Sequence, residues 1–389
     1  MIFLKLILWA SIFILFYSYL GYGMILWLYL KVREKKEEFI YDPRFEPDVS
    51  LVIAAFNEEE FIEEKILNCL ALDYPREKLK ILFVADGSVD DTVAIISRFP
   101  QVQLLFSEKR EGKIAAVNRA MKYINTPFVV FCDANTLLNK ECIKELIKHY
   151  QDENIGAVAG EKKISTGKTG DAAGSGEGLY WKYESFLKKL DARFYTVVGA
   201  AGELFSLRTH LYEPVAKNIL LDDFILSMEI CLKGYRVMYE PKAFASEAPS
   251  FSMKEEQKRK IRISAGGFQS VLILKQLLNI FRYGKLSFQY ISHRVLRWVV
   301  CPVLLPLLFI ANLMLCYFSD DNFYIILMCL QILFYLAAAT GWMYASRNIK
   351  IKLLYVPYYF VFMNAALYMG FSRFINNKQS VLWEKARRK

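Results

Sequence analysis

Histidine is nearly missing from this chain. The three that occur in 389 residues, His149, His210 and His293, are too scattered to make a zinc site, whose ligands must converge on one ion. The seven cysteines, Cys69, Cys132, Cys142, Cys231, Cys301, Cys316 and Cys329, include no Cys-x-x-Cys pair. That excludes a sequence-encoded metal ribbon, and free thiols in a reducing compartment are the simplest account. There is no internal repeat and no nucleic-acid recognition module, so the net charge of +10 is not read as a nucleic-acid footprint.

Charge itself is missing from four stretches, residues 6–30, 298–319, 322–346 and 353–372. Each is near or above the roughly 20 residues that a helix needs to cross the hydrocarbon core of a membrane. Together they explain a hydrophobic content of 54% and a mean hydropathy of +0.21 in a chain that is still 23% charged. The first stretch is expected to be a retained transmembrane anchor (residues 1–31) rather than a signal peptide, because no small-residue cleavage pattern precedes Lys31.

Residues 32–253 have no apolar run of spanning length and are read as the soluble domain. Lys31, Arg33, Lys35 and Lys36 follow the first span directly, which by the positive-inside rule places that domain in the cytosol and the chain in a cell membrane, multi-pass. Residues 254–296 form a basic, amphipathic segment suited to a membrane interface, with five basic residues in the nine of 254–262. Residues 297–372 hold the remaining spans and 373–389 a basic tail. The tail raises a conflict: three spans after the cytosolic domain would put it outside, yet it carries six basic residues against Glu384 alone. Either the segment 353–372 is re-entrant or interfacial, or the charge rule fails here.

Inside the soluble domain, apolar runs at 49–56, 79–85, 103–106 and 127–132 alternate with helical patterns at 58–72 and 113–124. Alternating strands and helices imply an α/β fold with a largely parallel sheet, and ligands collect at the carboxyl ends of such strands. Asn57-Glu58, Asp86 and Asp133 stand at three of those ends. Asp133-Ala-Asn135 has the layout of a site for a divalent cation, Mg²⁺ or Mn²⁺, bound through oxygen and shared with a diphosphate. Taken alone it is also an ordinary turn, as is Asp86-Gly87. Lys113 suits a phosphate or plain solvent. Asp222-Asp223, lying between apolar residues and opening a helix over 224–232, suits a general base or an N-terminal cap. Arg262 with Gly266-Gly267 suits a diphosphate or a lipid headgroup. Residues 165–178, rich in Gly, Ser and Thr, read as a mobile loop or a plain surface linker.

Taken in order, these segments resemble glycosyltransferase family 2, in its membrane-integrated branch with the cellulose, hyaluronan and poly-N-acetylglucosamine synthases. The resemblance covers roughly residues 48–300. It rests on Ala55-Phe-Asn57-Glu58-Glu, Asp86-Gly-Ser with Asp90-Asp-Thr, Gly112-Lys113 with Asn118, Asp133-Ala-Asn135, residues 198–203, Asp222-Asp223, residues 234–241 and Trp383-Glu-Lys385. It implies a GT-A-like, Rossmann-type nucleotide-sugar domain flanked by transmembrane helices, and an inverting, metal-dependent hexosyltransferase that extends a growing polysaccharide or glycan or, as the alternative within the enzyme class, adds one sugar to a lipid-linked acceptor and stops. Under it, Asp223 is the catalytic base. Asn57, Glu58, Asp86, Lys113, Asp133 and Arg262 bind the donor, most simply a UDP-sugar. Gly202, Glu203 and Asp222 face the acceptor, and Asp133 and Asn135 hold the metal. The expected partners are the nucleotide-sugar, a glycan or lipid-linked acceptor, membrane lipids and an export partner. A silent nucleotide-sugar-binding export subunit is the alternative from outside the enzyme class. Two positions depart from the family pattern. Asn135 replaces the third residue of Asp-x-Asp, and Ile263 replaces the Trp of Gln-x-x-Arg-Trp in the register Arg259-Lys-Ile-Arg262-Ile263.

Overall fold

The computed structural model describes residues 1–33, 41–164, 172–248, 252–347, 349 and 351–378. Lys35, Lys36, residues 165–171 of the Gly-rich stretch, and Trp383-Glu-Lys385 lie outside the described residues.

The chain opens with a helix, α1 (Ile2–Arg33), which contains a π turn at Tyr17–Gly21. The soluble domain then runs β1 (Val49–Ala55), α2 (Ile62–Leu70), β2 (Leu79–Asp86), α3 (Thr92–Ile96), β3 (Gln103–Ser107), α4 (Lys113–Met121), β4 (Phe128–Asp133), β5 (Thr136–Leu138), α5 (Cys142–Ile147) and β6 (Ile155–Ile164). It continues with α6 (Ala172–Phe194), β7 (Leu204–Arg208), α7 (Asp222–Leu232), β8 (Arg236–Glu247) and α8 (Met253–Ile273). Three long helices follow: α9 (Lys285–Phe318), α10 (Asn322–Ser346) and α11 (Lys352–Ile375). With α1, they are long and apolar enough to cross a membrane.

One eight-stranded sheet has the order β3-β2-β1-β4-β7-β6-β8-β5. β3, β2, β1 and β4 are parallel, as the alternation of strands and helices requires. β7 then runs antiparallel to both β4 and β6, and β5 antiparallel to β8. The sheet is therefore mixed, where the sequence pattern implied a largely parallel one. β6, β7 and β8 escaped the sequence reading because they mix charged with apolar residues.

Every residue of β1 is buried, as expected for a strand covered on both faces. Val52 and Ala54 join the core built with Ile114 and Val117 of α4. Leu51 and Ile53 pack on the other face with Ile62 and Ile66 of α2. Each of the Val, Leu and Ile side chains contributes about 1.5–3 kcal/mol through removal from water. This two-sided packing holds the strand ends, and the polar residues on them, in fixed places.

Two expectations change in detail. Residues 172–178, read as part of a loop, belong to α6. Gly266 and Gly267 are packing residues rather than an anion cradle: a Cβ on Gly266 would lie 2.7 Å from Leu221, and one on Gly267 would lie 3.0 Å from Trp298.

The long helices are tied to the soluble domain by buried polar contacts. Tyr22 of α1 donates to Asp191 of α6, and His293 of α9 contacts the other oxygen of that carboxylate at 2.6 Å. Gln289 donates to Asp191 as well. Arg294 of α9 pairs with Glu184 of α6 at 2.7 Å. Breaking one partner of such a buried pair is strongly destabilising, so these bonds fix how α1 and α9 meet the domain. A π-helical stretch over Ile291–Val300 carries His293 and Arg294; local π geometry alters the spacing of side chains along a helix.

Candidate active site

The carboxyl ends of β1 and β2 are laced together before they offer anything to a ligand. Asn57 takes a left-handed backbone, φ 53°, which Asn tolerates better than most residues. Its amide donates to Ser88 Oγ at 3.1 Å and its side-chain oxygen accepts from the Val89 amide at 2.9 Å. The Glu58 amide donates to Thr92 Oγ1 at 2.8 Å. Asp86, buried at the end of β2, accepts from the amides of Glu111 and Gly112 at 2.9 and 2.6 Å and from Arg119 at 3.3 Å. Its carboxylate thus shapes the turn that opens α4, where Gly112 has φ 98°, a conformation that glycine adopts without strain.

That turn aims Lys113 across the sheet ends. Its ammonium pairs with Asp133 Oδ1 at the end of β4. Burial works against the charge, but Asp133, then Asp222 and Asp223, outweigh it and hold the lysine pKa well above its usual range. Asp222 and Asp223 begin α7, where exposed helix amides favour negative charge. Asp223 is partly buried, and its pKa is raised to about 7, first by burial and then by Asp222; Lys113 opposes the rise and Glu203 adds to it. Gly202 sits between the two groups: a Cβ there would lie 3.2 Å from both Asp223 Oδ2 and Lys113 Nζ. Arg262 of α8 lies in the field of Asp222, Asp223 and Asp133, while burial lowers its pKa from the usual value. Its buried Nε has no hydrogen-bond partner among the described residues.

A second charged group lies beside the first. Lys162 of β6 is buried and pairs with both Glu203 and Glu247. Burial disfavours the Glu203 carboxylate, but Lys162 holds its pKa well below the usual range. Asn135 lies 3.5 Å from Glu247 through its amide nitrogen.

A cavity of about 550 Å³ joins the two groups, a volume typical of ligand sites. Lys113, Asp133, Gly202, Glu203, Asp222, Asp223 and Arg262 line it. Asn57, Glu58, Asp86 and Asn135 do not. The wall also contains residues that the sequence reading passed over: Lys188, Glu247, Arg294, Arg297 and Trp298. Arg294-Val-Leu-Arg297-Trp298 carried a signal, two cations set at the mouth of an apolar stretch. Glu247 carried none, since only sheet pairing brings it to Lys162.

The family model described as Glycosyl transferase family 2 matches residues 50–213. Those residues form a family 2 glycosyltransferase domain. The match begins at β1 and ends past β7, so the domain holds the strand ends that carry Asn57, Asp86 and Asp133 and also Gly202 and Glu203. Poly-β-1,6-N-acetyl-D-glucosamine synthase of Staphylococcus aureus (strain COL) is 26% identical over 235 residues, 58% of this chain and 55% of that protein. The Staphylococcus epidermidis synthase of the same name is 23% identical over 282 residues, 68% of this chain and 66% of that one. The aligned part spans about half to two thirds of the length of these curated relatives. Among solved structures, a mannosyltransferase from Pyrobaculum calidifontis in complex with GDP-Man and Mn²⁺ superposes with a TM-score of 0.71 at 20% identity, covering 97% of this chain and 100% of that one. The fold is a GT-A-like glycosyltransferase fold with long apolar helices around it.

Proposed function

We propose that the chain is an inverting membrane glycosyltransferase that moves a sugar from a nucleotide-sugar donor, UDP-linked in the simplest case, to a membrane-side acceptor. The observation that carries this reading is the meeting of Asp223, Lys113 and Arg262 at one cavity wall, with Asp133 paired to the lysine. A base with a pKa of about 7 is matched to proton transfer near neutral pH. Asp223 takes the proton of the acceptor hydroxyl as its oxygen bonds to the anomeric carbon. The bond from that carbon to the diphosphate breaks on the opposite side, so the anomeric configuration inverts. Lys113 and Arg262 face the negative charge that gathers on the departing diphosphate, a preorganised arrangement worth several kcal/mol at such sites. Asn57 and Glu58 shape the nucleoside end, and Asp86 sets the turn that presents Lys113.

A divalent cation fits with limited help from the chain. Among the described residues no group of three or more His, Cys, Asp or Glu side chains could hold one. Asp133 and the Asn135 side-chain oxygen are the hard ligands on offer, so diphosphate oxygens would complete the shell, as is usual for Mg²⁺. Once bound, the ion would neutralise leaving-group charge. Residues 1–33 and the helices after α8 anchor the domain in a cell membrane, with the catalytic side cytosolic.

The test is the full-length protein in detergent with a panel of nucleotide-sugars, read by nucleoside diphosphate release and by mass spectrometry of the product. Release with one donor, lost on chelation and in Asp223→Asn, is the expected result. A protein that binds nucleotide-sugar and releases nothing with any donor would instead be a silent subunit.

A further inference from the structure

If the transferase reading holds, the base must stand at a fixed distance from the cations that meet the leaving diphosphate. Asp223 lies in the first turn of α7, whose N-cap, Leu221, makes no side-chain cap bond. Residues 212–221, which lead into that turn, form no helix or strand. The backbone groups of such a stretch must find partners elsewhere.

They find them on side chains of two neighbouring helices. Asn118 of α4 holds the early part: its Nδ2 donates to the Val215 carbonyl at 2.8 Å, and its Oδ1 accepts from the Tyr212 hydroxyl at 2.5 Å. Lys217 pairs with Glu111 at 2.6 Å. Gln269 of α8 holds the late part. Its Oε1 accepts from the Leu220 amide at 3.0 Å, and its Nε2 donates to the Asn218 carbonyl at 2.8 Å. A carboxamide offers that acceptor and that donor side by side; an aliphatic side chain would leave both backbone groups without it.

The backbone of α8 comes close to the same residues. A Cβ on Gly266 would lie 2.7 Å from Leu221 Cγ and 3.0 Å from Leu220 Cβ. Arg262, Gly266 and Gln269 follow the spacing i, i+4, i+7, which sets residues along one face of a helix. Arg262 lines the cavity with Asp222 and Asp223, and Gln269 does not. One helix face therefore presents a cation to the cavity and, two turns on, holds the chain that enters the helix of the base.

We propose that Gln269 is a positioning residue for Asp223: through the two backbone groups it holds, α8 sets where the base stands relative to Arg262. Its influence reaches the reaction through the chain, not through contact with substrate. Release of Asn218 and Leu220 would move Asp223 away from the acceptor hydroxyl. It would also admit water, and burial is the first cause of the raised pKa of that carboxyl.

The experiment uses full-length protein in detergent, with nucleoside diphosphate release as the readout. Gln269→Leu removes both bonds at similar bulk. It should lower kcat about 10–100-fold, the scale of loss when a reacting group is slightly misplaced. The KM for the donor should stay within about twofold, and the acid limb of kcat/KM should move below about 7. Gln276→Leu, at an exposed position beyond α8, should match the unaltered protein. Gln269→Asn keeps an amide one methylene shorter and should show a smaller loss of the same kind. Nucleotide binding, followed by tryptophan fluorescence, checks folding, and the asparagine variant carries the test if the leucine variant fails that check. Unchanged kcat and acid limb in the folded variants would overturn the positioning role while leaving transfer intact. A raised donor KM at unchanged kcat would also overturn it, in favour of a part in donor binding. Absence of nucleoside diphosphate release from the unaltered protein with every donor would overturn the transferase reading, and this proposal with it.

Discussion

Lys113 and Asp223 face each other across Gly202: the lysine nitrogen and the aspartate oxygen each stand 3.2 Å from where a Cβ on that glycine would be. Gly202 is not among the residues with positive φ, so its role is space rather than backbone freedom. Gly202→Ala is expected to crowd both groups and lower kcat by about 10–100-fold, the scale of loss from a small misplacement of reacting groups. Its thermal unfolding should stay close to that of the unaltered protein. Steady-state kinetics alongside a melting curve would check both.

Asp223 gives a pH signature. If it is the base, kcat/KM should fall about tenfold per pH unit below about 7, as protonation removes the acceptor of the proton. Asp223→Asn should abolish that limb and cost about 10²–10⁴ in rate, with donor binding kept. Stability should move the other way. The folded pKa lies above the ordinary 3.8, so the group's contribution is most favourable below 3.8 and is lost as pH rises towards 7. Asp223→Asn should therefore melt higher than the unaltered protein at pH 8, with little difference at pH 4. Melting curves at the two pH values test the sign.

Lys162 holds two carboxylates at once. Lys162→Met would leave Glu203 and Glu247 buried without it, a loss of about 3–5 kcal/mol for an uncompensated buried charge. Adding Glu203→Gln and Glu247→Gln should recover much of the stability, because neutral amides no longer need the ammonium. Thermal melts of the single and triple variants give the comparison.

The last helix bears on topology. α11 runs beside α8: a Cβ on Gly370 would meet Ser264 at 2.5 Å, and Phe268 lies against Phe371 and Phe374. At the other end Tyr355 reaches Met253. α8 carries Lys258, Arg259, Lys260 and Arg262, which belong outside the hydrocarbon core. We expect α11 to lie with it on the catalytic side, which would accommodate the basic tail. In a background with native thiols removed, Val32→Cys and Ile375→Cys should react with a membrane-impermeant reagent from the same side, and Ser319→Cys from the other. Reaction of Ile375→Cys on the Ser319 side would mean that α11 crosses the membrane.

The strand ends were readable because their causes are local. Val49–Ala55 and Leu79–Asp86 are short apolar runs followed by Asn57-Glu58 and Gly87, and a chain that buries a strand must turn out with polar residues. The second half of the sheet was not readable in this way. Ile155–Ile164 carries Glu161, Lys162 and Lys163 near its end, a pattern that looks like surface until Glu203, just before β7, and Glu247, at the end of β8, arrive. Asp222-Asp223 could be placed at a helix start, but its two readings, cap or base, could not be separated by spacing. Leu221 at the N-cap makes no side-chain cap bond, and the neighbourhood of Lys113 and Glu203 gives Asp223 its raised pKa.

By itself, then, the sequence determined the apolar helices, whose length and lack of charge are one-dimensional properties, and the parallel half of the sheet, whose periodicity is local. Tertiary structure decided which carboxylates share a field. Lys113, Asp133, Gly202, Asp223 and Arg262 come from five separate elements and loops, and their electrostatics depend on distances that no spacing rule encodes. It also decided which polar groups meet beside the cavity: Tyr19, Asn364 and Tyr183 lie far apart in the sequence, and only the packing of their helices pairs them with one another and with the backbone.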